Sequence, residues 1–270
     1  MEVPTMFPSQ SVAEDTEALV SYFPLPGMGL VPINAFLIRG VEPVLVDTGI
    51  AGLREDFMRT LRSLIDPDKI RWIWLTHTDP DHVGSIRQVL EEAPRARIIT
   101  TFLGMGKMAL LQYPIDRVYL LNPGQSLDLP DRQLIAVKPP TFDAPETTGF
   151  FDTKTRSLFS ADCFGALMEK PAETAAAIPA SALRDGQILW STVDAPWLRF
   201  TDKSAFEGSV KELQKLDPAR IISNHLPPAS GMNELLYGNL INALAAPPFV
   251  GPDQAAMEKM MQQPQSATKG

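Results

Sequence analysis

The chain holds three histidines, and two of them, His77 and His82, share one short stretch with Asp79 and Asp81. Imidazole and carboxylate in that density are the ligands of iron, zinc and manganese, and so many in one turn serve two ions more readily than one. The stretch Leu75-Thr-His-Thr-Asp-Pro-Asp-His-Val-Gly-Ser85 follows an apolar run from residue 70 and opens a helical pattern near Gly84. The third histidine, His225, also follows a short strand-like run. Cys163 is the lone cysteine, which excludes an internal disulfide and any cysteine-based zinc or rubredoxin-type iron centre within the chain.

A ligand turn needs elements to present it. Residues 70–75 read as a buried strand and 85–92 as the helix behind the turn. Ahead of them, 18–23, 34–38 and 43–46 read as strands, with a turn-rich segment at Pro24-Leu-Pro-Gly-Met-Gly29 and a hairpin connection at Arg39-Gly-Val-Glu42. Residues 54–65 have helical period. After the turn come a strand at 97–101, a short helix at 105–112, an extended piece at 118–121, and alternating strands at 126–129 and 133–137. Residues 149–152 and 157–160 flank a second hairpin turn. Residues 166–200, rich in Ala and Pro, read as loops and short helices, followed by a helix at 205–216, a strand at 220–223 and a helix at 233–245. Residues 1–15 read as a loose lead-in, and those from 247 as a peripheral tail. This order predicts an α/β fold in which two mixed sheets pack together with helices outside, in one domain over 1–270 with its core at about 18–246.

Composition narrows the function. Net charge is −8, from 24 basic and 32 acidic residues, which argues against a nucleic-acid or anionic-membrane surface. No continuous apolar run approaches ~18 residues, so no membrane span is expected. Residues 1–13 lack the basic start and apolar core of a signal peptide, and a cytoplasmic protein is the expectation.

The assembled pieces resemble the metallo-β-lactamase superfamily, and within it the di-iron domain of flavodiiron proteins and the stand-alone oxygen-binding di-iron proteins. Asn34-Ala-Phe-Leu-Ile38 and Val44-Leu-Val-Asp-Thr-Gly49 look like that superfamily's opening hairpin. His77-Thr-Asp-Pro-Asp-His-Val-Gly84 is similar to the branch's His-Thr-Glu-Pro-Asp-His-Ser-Gly pattern. Leu158-Phe-Ser-Ala-Asp-Cys-Phe-Gly165 and Ile221-Ile-Ser-Asn-His225 look like its later ligand segments, and Pro139-Pro-Thr-Phe-Asp-Ala-Pro145 stands where it has a Pro-x-x-Leu-His turn. The likeness covers roughly residues 18–235. It implies a four-layer αββα fold and two metal ions per chain, iron preferred, with zinc or manganese as alternatives. It puts His77, Asp79 and Asp143 on the first ion, Asp81, His82 and His225 on the second, and Asp162 between them. Asp81 and Asp162 would also act on the chemistry. Two positions depart from the pattern. Asp79 stands for Glu or His, and Asp143 for His, with Glu146 a nearby alternative ligand.

Four carboxylates gathered at such a site repel strongly unless protons or cations sit among them, and two divalent ions balance them formally. An oxygen ligand at 143 in place of imidazole favours harder or higher-valent ions. Other residues have plainer readings. Asp47 is a turn or supporting carboxylate. Gly104-Met-Gly-Lys107 lacks the spacing of a phosphate loop. Cys163 is a small buried residue, and Trp190, Trp197 and Phe200 either pack a core or line the mouth of the site.

Three functions follow. The resemblance implies a di-iron protein that binds or reduces O₂ or NO. No flavodoxin-like FMN domain is expected after residue 235, so electrons would come from a separate donor protein, or the chain would act as an oxygen sensor. Relatives of this kind also form homodimers. The alternative is a metallo-hydrolase that attacks an ester, thioester or phosphoester small molecule with a metal-bridging hydroxide. The third is a degenerate, non-catalytic metal-binding module.

Overall fold

The computed structural model describes residues 3–262. Two sheets lie face to face. The first takes β1 (Thr5–Met6), β2 (Gln10–Ala13), β3 (Thr16–Leu25), β4 (Gly29–Ile38), β5 (Val44–Val46), β6 (Trp72–Trp74), β7 (Arg97–Thr100) and β8 (Val118–Leu120). Its order is β1-β3-β4-β5-β6-β7-β8, with β2 also paired to β3. The second takes β9 (Ser126–Leu129), β10 (Arg132–Val137), β11 (Gly149–Asp152), β12 (Ser157–Phe159), β13 (Arg220–Ile222) and β14 (Ala229–Ser230), in the order β14-β13-β12-β11-β10-β9. Both sheets are mixed: β5 to β8 run parallel, as do β12 and β13, and the other pairs are antiparallel.

Strand alternation sorts the apolar side chains into layers. Trp74, Phe150, Phe159 and Ile222 point into the space between the sheets, with Phe36 and Val46. Their neighbours Ile73, Phe151, Leu158 and Ile221 point outward and need cover. On the first sheet, α1 (Arg54–Leu64), α2 (Ile86–Glu92) and α3 (Phe102–Leu110) provide it with Phe57, Leu61, Val89 and Met108. On the second, α4 (Ala180–Asp194), α5 (Lys203–Gln214) and α6 (Asn233–Asn242) provide Leu183, Phe206, Val210 and Leu240. The result is the expected four-layer αββα sandwich. The inner layer is aromatic, with Phe150 and Phe159 stacked at 4.4 Å and Phe36 edge-on to Phe159 at 5.6 Å. No helix among the described residues is long and apolar enough to cross a membrane.

Four local expectations change. The lead-in is not loose, because β1 and β2 pair with β3. The first hairpin is longer than expected, pairing Thr16 with Ile38 through to Leu25 with Gly29. Pro24 is tolerated in it because β1 pairs with β3 only as far as Tyr22. Helix α3 starts at Phe102, since the Thr101 hydroxyl accepts from the Gly104 amide at 3.2 Å and caps it. Within 166–200, expected as loops and short helices, α4 runs for 15 residues. Alanine favours that helix, and Pro179 and Pro196 lie just outside it, bounding it instead of breaking it. The tail carries α7 (Gln254–Gln262).

Candidate metal centre

Parallel strands leave their carboxyl ends at one rim, and the loops that follow them carry the site. β5 ends before Asp47, β6 before the His77–His82 turn, β12 before Asp162 and β13 before His225. Asp143 comes from the connection between β10 and β11, where Lys138 donates to the carbonyls of Pro145 and Thr147 at 3.0 and 2.9 Å.

The backbone of these loops is held in unusual shapes. Asp47, Ala161 and Phe164 all have positive φ, at 58°, 52° and 68°. Ala161 and Phe164 bracket Asp162, and such strain persists where surroundings enforce it. Those surroundings include the Trp190 indole, which donates to the Asp162 carbonyl at 3.0 Å, and the Gly165 amide, which donates to it at 2.9 Å. Gly84 has no alternative residue, because a Cβ there would overlap the Ala51 amide and the Gly49 carbonyl.

Each histidine is fixed by its Nδ1 atom. Thr76 Oγ1 donates to Asp47 Oδ2 at 2.7 Å, so it accepts from His77 Nδ1 at 3.1 Å. His82 Nδ1 donates to Asp47 Oδ2 at 2.9 Å, and His225 Nδ1 donates to the Pro32 carbonyl at 2.7 Å. With the proton on Nδ1, each Nε2 presents a lone pair. All three converge on Asp162. His77 Nε2 is 3.3 Å from Oδ2, and His82 Nε2 and His225 Nε2 are each 3.2 Å from Oδ1.

The remaining acids close the set. His77, Asp79 and Asp143 bring ligand atoms within 4.8 Å of one another, and Asp81, His82 and His225 do the same. Asp81 Oδ2 lies 3.5 Å from both His82 Nε2 and His225 Nε2, with its side chain 28% exposed. Every residue expected at the site is therefore gathered there. Glu146, the alternative to Asp143, points elsewhere: it accepts from Thr78 Oγ1 at 2.9 Å and pairs with Lys107 at 2.7 Å. Lys107 belongs to α3, so Gly104–Lys107 is helix and not a phosphate loop.

Electrostatics mark the same place. Burial works against the charge of Asp162, yet His77, His82 and His225 hold its carboxyl well below the usual range. Burial works against the imidazolium forms, but the facing carboxylates, Asp162 for His77 and His225 and Asp81 foremost for His82, raise all three histidines. Burial, opposed by His77 and aided by Asp162 and Asp79, lifts Asp143 to about 6. Burial pushes the Cys163 thiol up to about 12, as befits an inert interior residue.

Three supporting residues and one acid add to the sequence picture. Asn224 donates to Asp47 Oδ2 at 2.9 Å and to the Asn34 carbonyl at 2.7 Å, tying the His225 loop to the first sheet. Trp190 packs on His225, with ring centres 4.5 Å apart, and Trp197 donates to the Phe142 carbonyl beside Asp143 at 2.9 Å. Both tryptophans hold ligand loops, whereas Phe200 is 80% exposed. The acid is Asp194, at the end of α4, which no motif singles out and which forms a cluster with Asp143 and Asp162.

The donors fit metal. Nitrogen and oxygen ligands suit iron, zinc or manganese. His77 Nε2, His82 Nε2 and Asp162 Oδ1 are buried with no hydrogen-bond partner, which a folded chain rarely tolerates without an ion or water to satisfy them.

A four-layer sandwich with an imidazole and carboxylate cluster at its strand ends defines a metallo-β-lactamase-like protein. Residues 31–225 match the model of the ODP family beta lactamase, and the chain belongs to that family. It is 32% identical over 133 residues to a putative diflavin flavoprotein A 2 of a Nostoc species, covering 49% of this chain and 23% of the relative. It is 35% identical over 136 residues to the type A flavoprotein fprA of Rhodobacter capsulatus, covering 49% and 31%. The chain thus spans a quarter to a third of the length of these relatives. Its fold superposes on the rubredoxin oxygen:oxidoreductase of Desulfovibrio gigas with a TM-score of 0.78 at 18% identity, over 88% of this chain and 61% of that one.

Proposed function

We propose that this chain holds two iron ions and binds or reduces O₂ or NO, with electrons from a separate donor protein. The observation that carries the reading is the convergence of three Nε2 lone pairs on one buried carboxylate. The names of the relatives point toward oxygen and redox chemistry: one is a rubredoxin oxygen:oxidoreductase and others are flavoproteins of the diflavin and type A kinds.

His77, Asp79 and Asp143 would hold the first ion and Asp81, His82 and His225 the second, with Asp162 shared between the two groups. Iron bound there would supply a redox couple for a diatomic ligand. The chain's residues do the rest. Asp47, Thr76 and the Pro32 carbonyl keep the protons on Nδ1 and the rings in position. Asp79, Asp81 and Asp143 are the members of the set that solvent reaches, and are placed to exchange protons with it. Phe164, fully buried, and Trp190, whose indole donates to the Asp162 carbonyl, hold the loop that carries this carboxylate.

Anaerobic loading with Fe(II), metal analysis and an optical spectrum after exposure to O₂ test the reading. Two Fe per chain, with a near-ultraviolet band that bleaches on reduction, is the expected result. Two Zn per chain with turnover of an ester or phosphodiester, and no reaction of the iron-loaded form with O₂ or NO, overturns it in favour of hydrolysis.

A further inference from the structure

Asp194 is the last residue of α4 and is 5% exposed. Its Oδ2 atom is buried with no hydrogen-bond partner among the described residues. Among the described residues, its carboxylate forms a cluster with those of Asp143 and Asp162 in which the ligand atoms all lie within 4.8 Å of one another. Two ligands of one ion, each at ~2.0–2.2 Å, stand at most ~4.4 Å apart, so a small side-chain rotation brings the three onto a common cation. The position is unfavourable for a bare anion on two counts. A carboxylate at a helix C-terminus meets the negative end of the helix dipole, and α4 has no basic residue in its last turn. A buried carboxyl next to two further carboxylates is accommodated only with a proton or a cation among them, and a cation satisfies all three at once.

We infer that Asp194 is a ligand of the first metal ion, joining His77, Asp79, Asp143 and Asp162. The inference rests on the two-ion reading above and extends it. With Asp194 the first position has one imidazole and four carboxylates around it, against two imidazoles and two carboxylates at the second. The two positions therefore differ in hardness: the first favours ions that prefer oxygen, such as Mn(II) or ferric iron, and the second favours ions that accept nitrogen readily, such as Zn(II). A chain of this design takes a mixed pair when offered both.

The test compares the full chain with Asp194→Asn, which keeps the shape and removes the charge. Both are titrated with Mn(II) alone, with bound and free ion counted by electron paramagnetic resonance, and their thermal unfolding is followed with and without Mn(II). The wild type should take two ions. The variant should lose roughly 10–100-fold in affinity at one position and little at the other. Without metal, the variant should unfold no lower than the wild type, since a neutral amide of the same shape replaces a carboxyl whose anion this buried position disfavours, while the rise on adding Mn(II) should shrink. Equal affinities at both positions in the two proteins overturn the inference. So does a variant that is less stable without metal yet gains the full rise with it, because Asp194 would then be structural. A wild type that takes one Mn(II) and no second ion when Zn(II) is then added sinks the two-ion reading itself, and the inference falls with it.

Discussion

Asp47 touches none of the proposed ligand positions except through His82, and its replacement by Asn is a sharp test of how the site is held. The carboxylate accepts four hydrogen bonds: Oδ1 from the Thr76 amide at 2.9 Å, and Oδ2 from Thr76 Oγ1, His82 Nδ1 and Asn224 Nδ2 at 2.7, 2.9 and 2.9 Å. Asparagine tolerates the positive φ of 58° at this position, so the backbone is not the issue. An amide, however, has one acceptor end. With its oxygen toward the Thr76 amide, its NH₂ faces His82 and Asn224. His82 is relieved only by moving its proton to Nε2, the atom needed for metal. With the amide reversed, the buried Thr76 N–H loses its partner.

The cost of the second arrangement is about 1–3 kcal/mol, charged to folding. The cost of the first falls on metal binding, where loss of an orienting partner typically removes 10–100-fold in affinity. The measurement is therefore double: urea unfolding of the metal-free protein, and a chelator competition titration of the position held by Asp81, His82 and His225. Asp47→Asn should lose at least one of the two, by about the amounts given. Stability and affinity both within ~twofold of wild type would refute the argument that Asp47 fixes the His82 tautomer.

Asp162→Ala should abolish binding of both ions, because among the described residues no other carboxylate lies against all three Nε2 atoms; full metal content by elemental analysis would remove Asp162 from its place between them. Asp143→His should shift the first position from Mn(II) toward Zn(II) in a competition titration, and an unchanged preference would take Asp143 out of the ligand set. Arg132 and Asp152 form a fully buried ion pair at 3.0 Å far along the second sheet, with Asp15 and Asp131 around it. Arg132→Met should cost about 3–5 kcal/mol in urea unfolding while leaving metal affinity intact. The same network sets an acid limit. Burial opposes the charge of Asp131, but Arg132 and Lys154 hold it at about 2 instead of 3.8. Its contribution is thus complete above 3.8 and disappears as pH falls toward 2, so wild-type stability should drop across that window more steeply than that of Arg132→Met.

What was readable in the sequence follows from how local each signal is. His77, Asp79, Asp81 and His82 share one turn, and Asp162 and His225 each come two or three residues after a strand, so hydrophobic runs located them. The layer order was readable for the same reason, since period-two strands and period-3.6 helices declare which faces need cover. Two things were not local. Glu146 and Asp143 lie in one connection, and the distant partners Lys107 and Thr78 show which of them is occupied away from the ligand cluster. Asp194 belongs to a segment whose composition reads as loop, and its cluster with Asp162 exists only because α4 packs across the second sheet. One signal was nonetheless present: an acid closing a helix with no basic residue in its last turn opposes the helix dipole. A residue placed against its own helix is held for some other reason. At this rim, next to Asp143 and Asp162, the physical candidate for that reason is a cation.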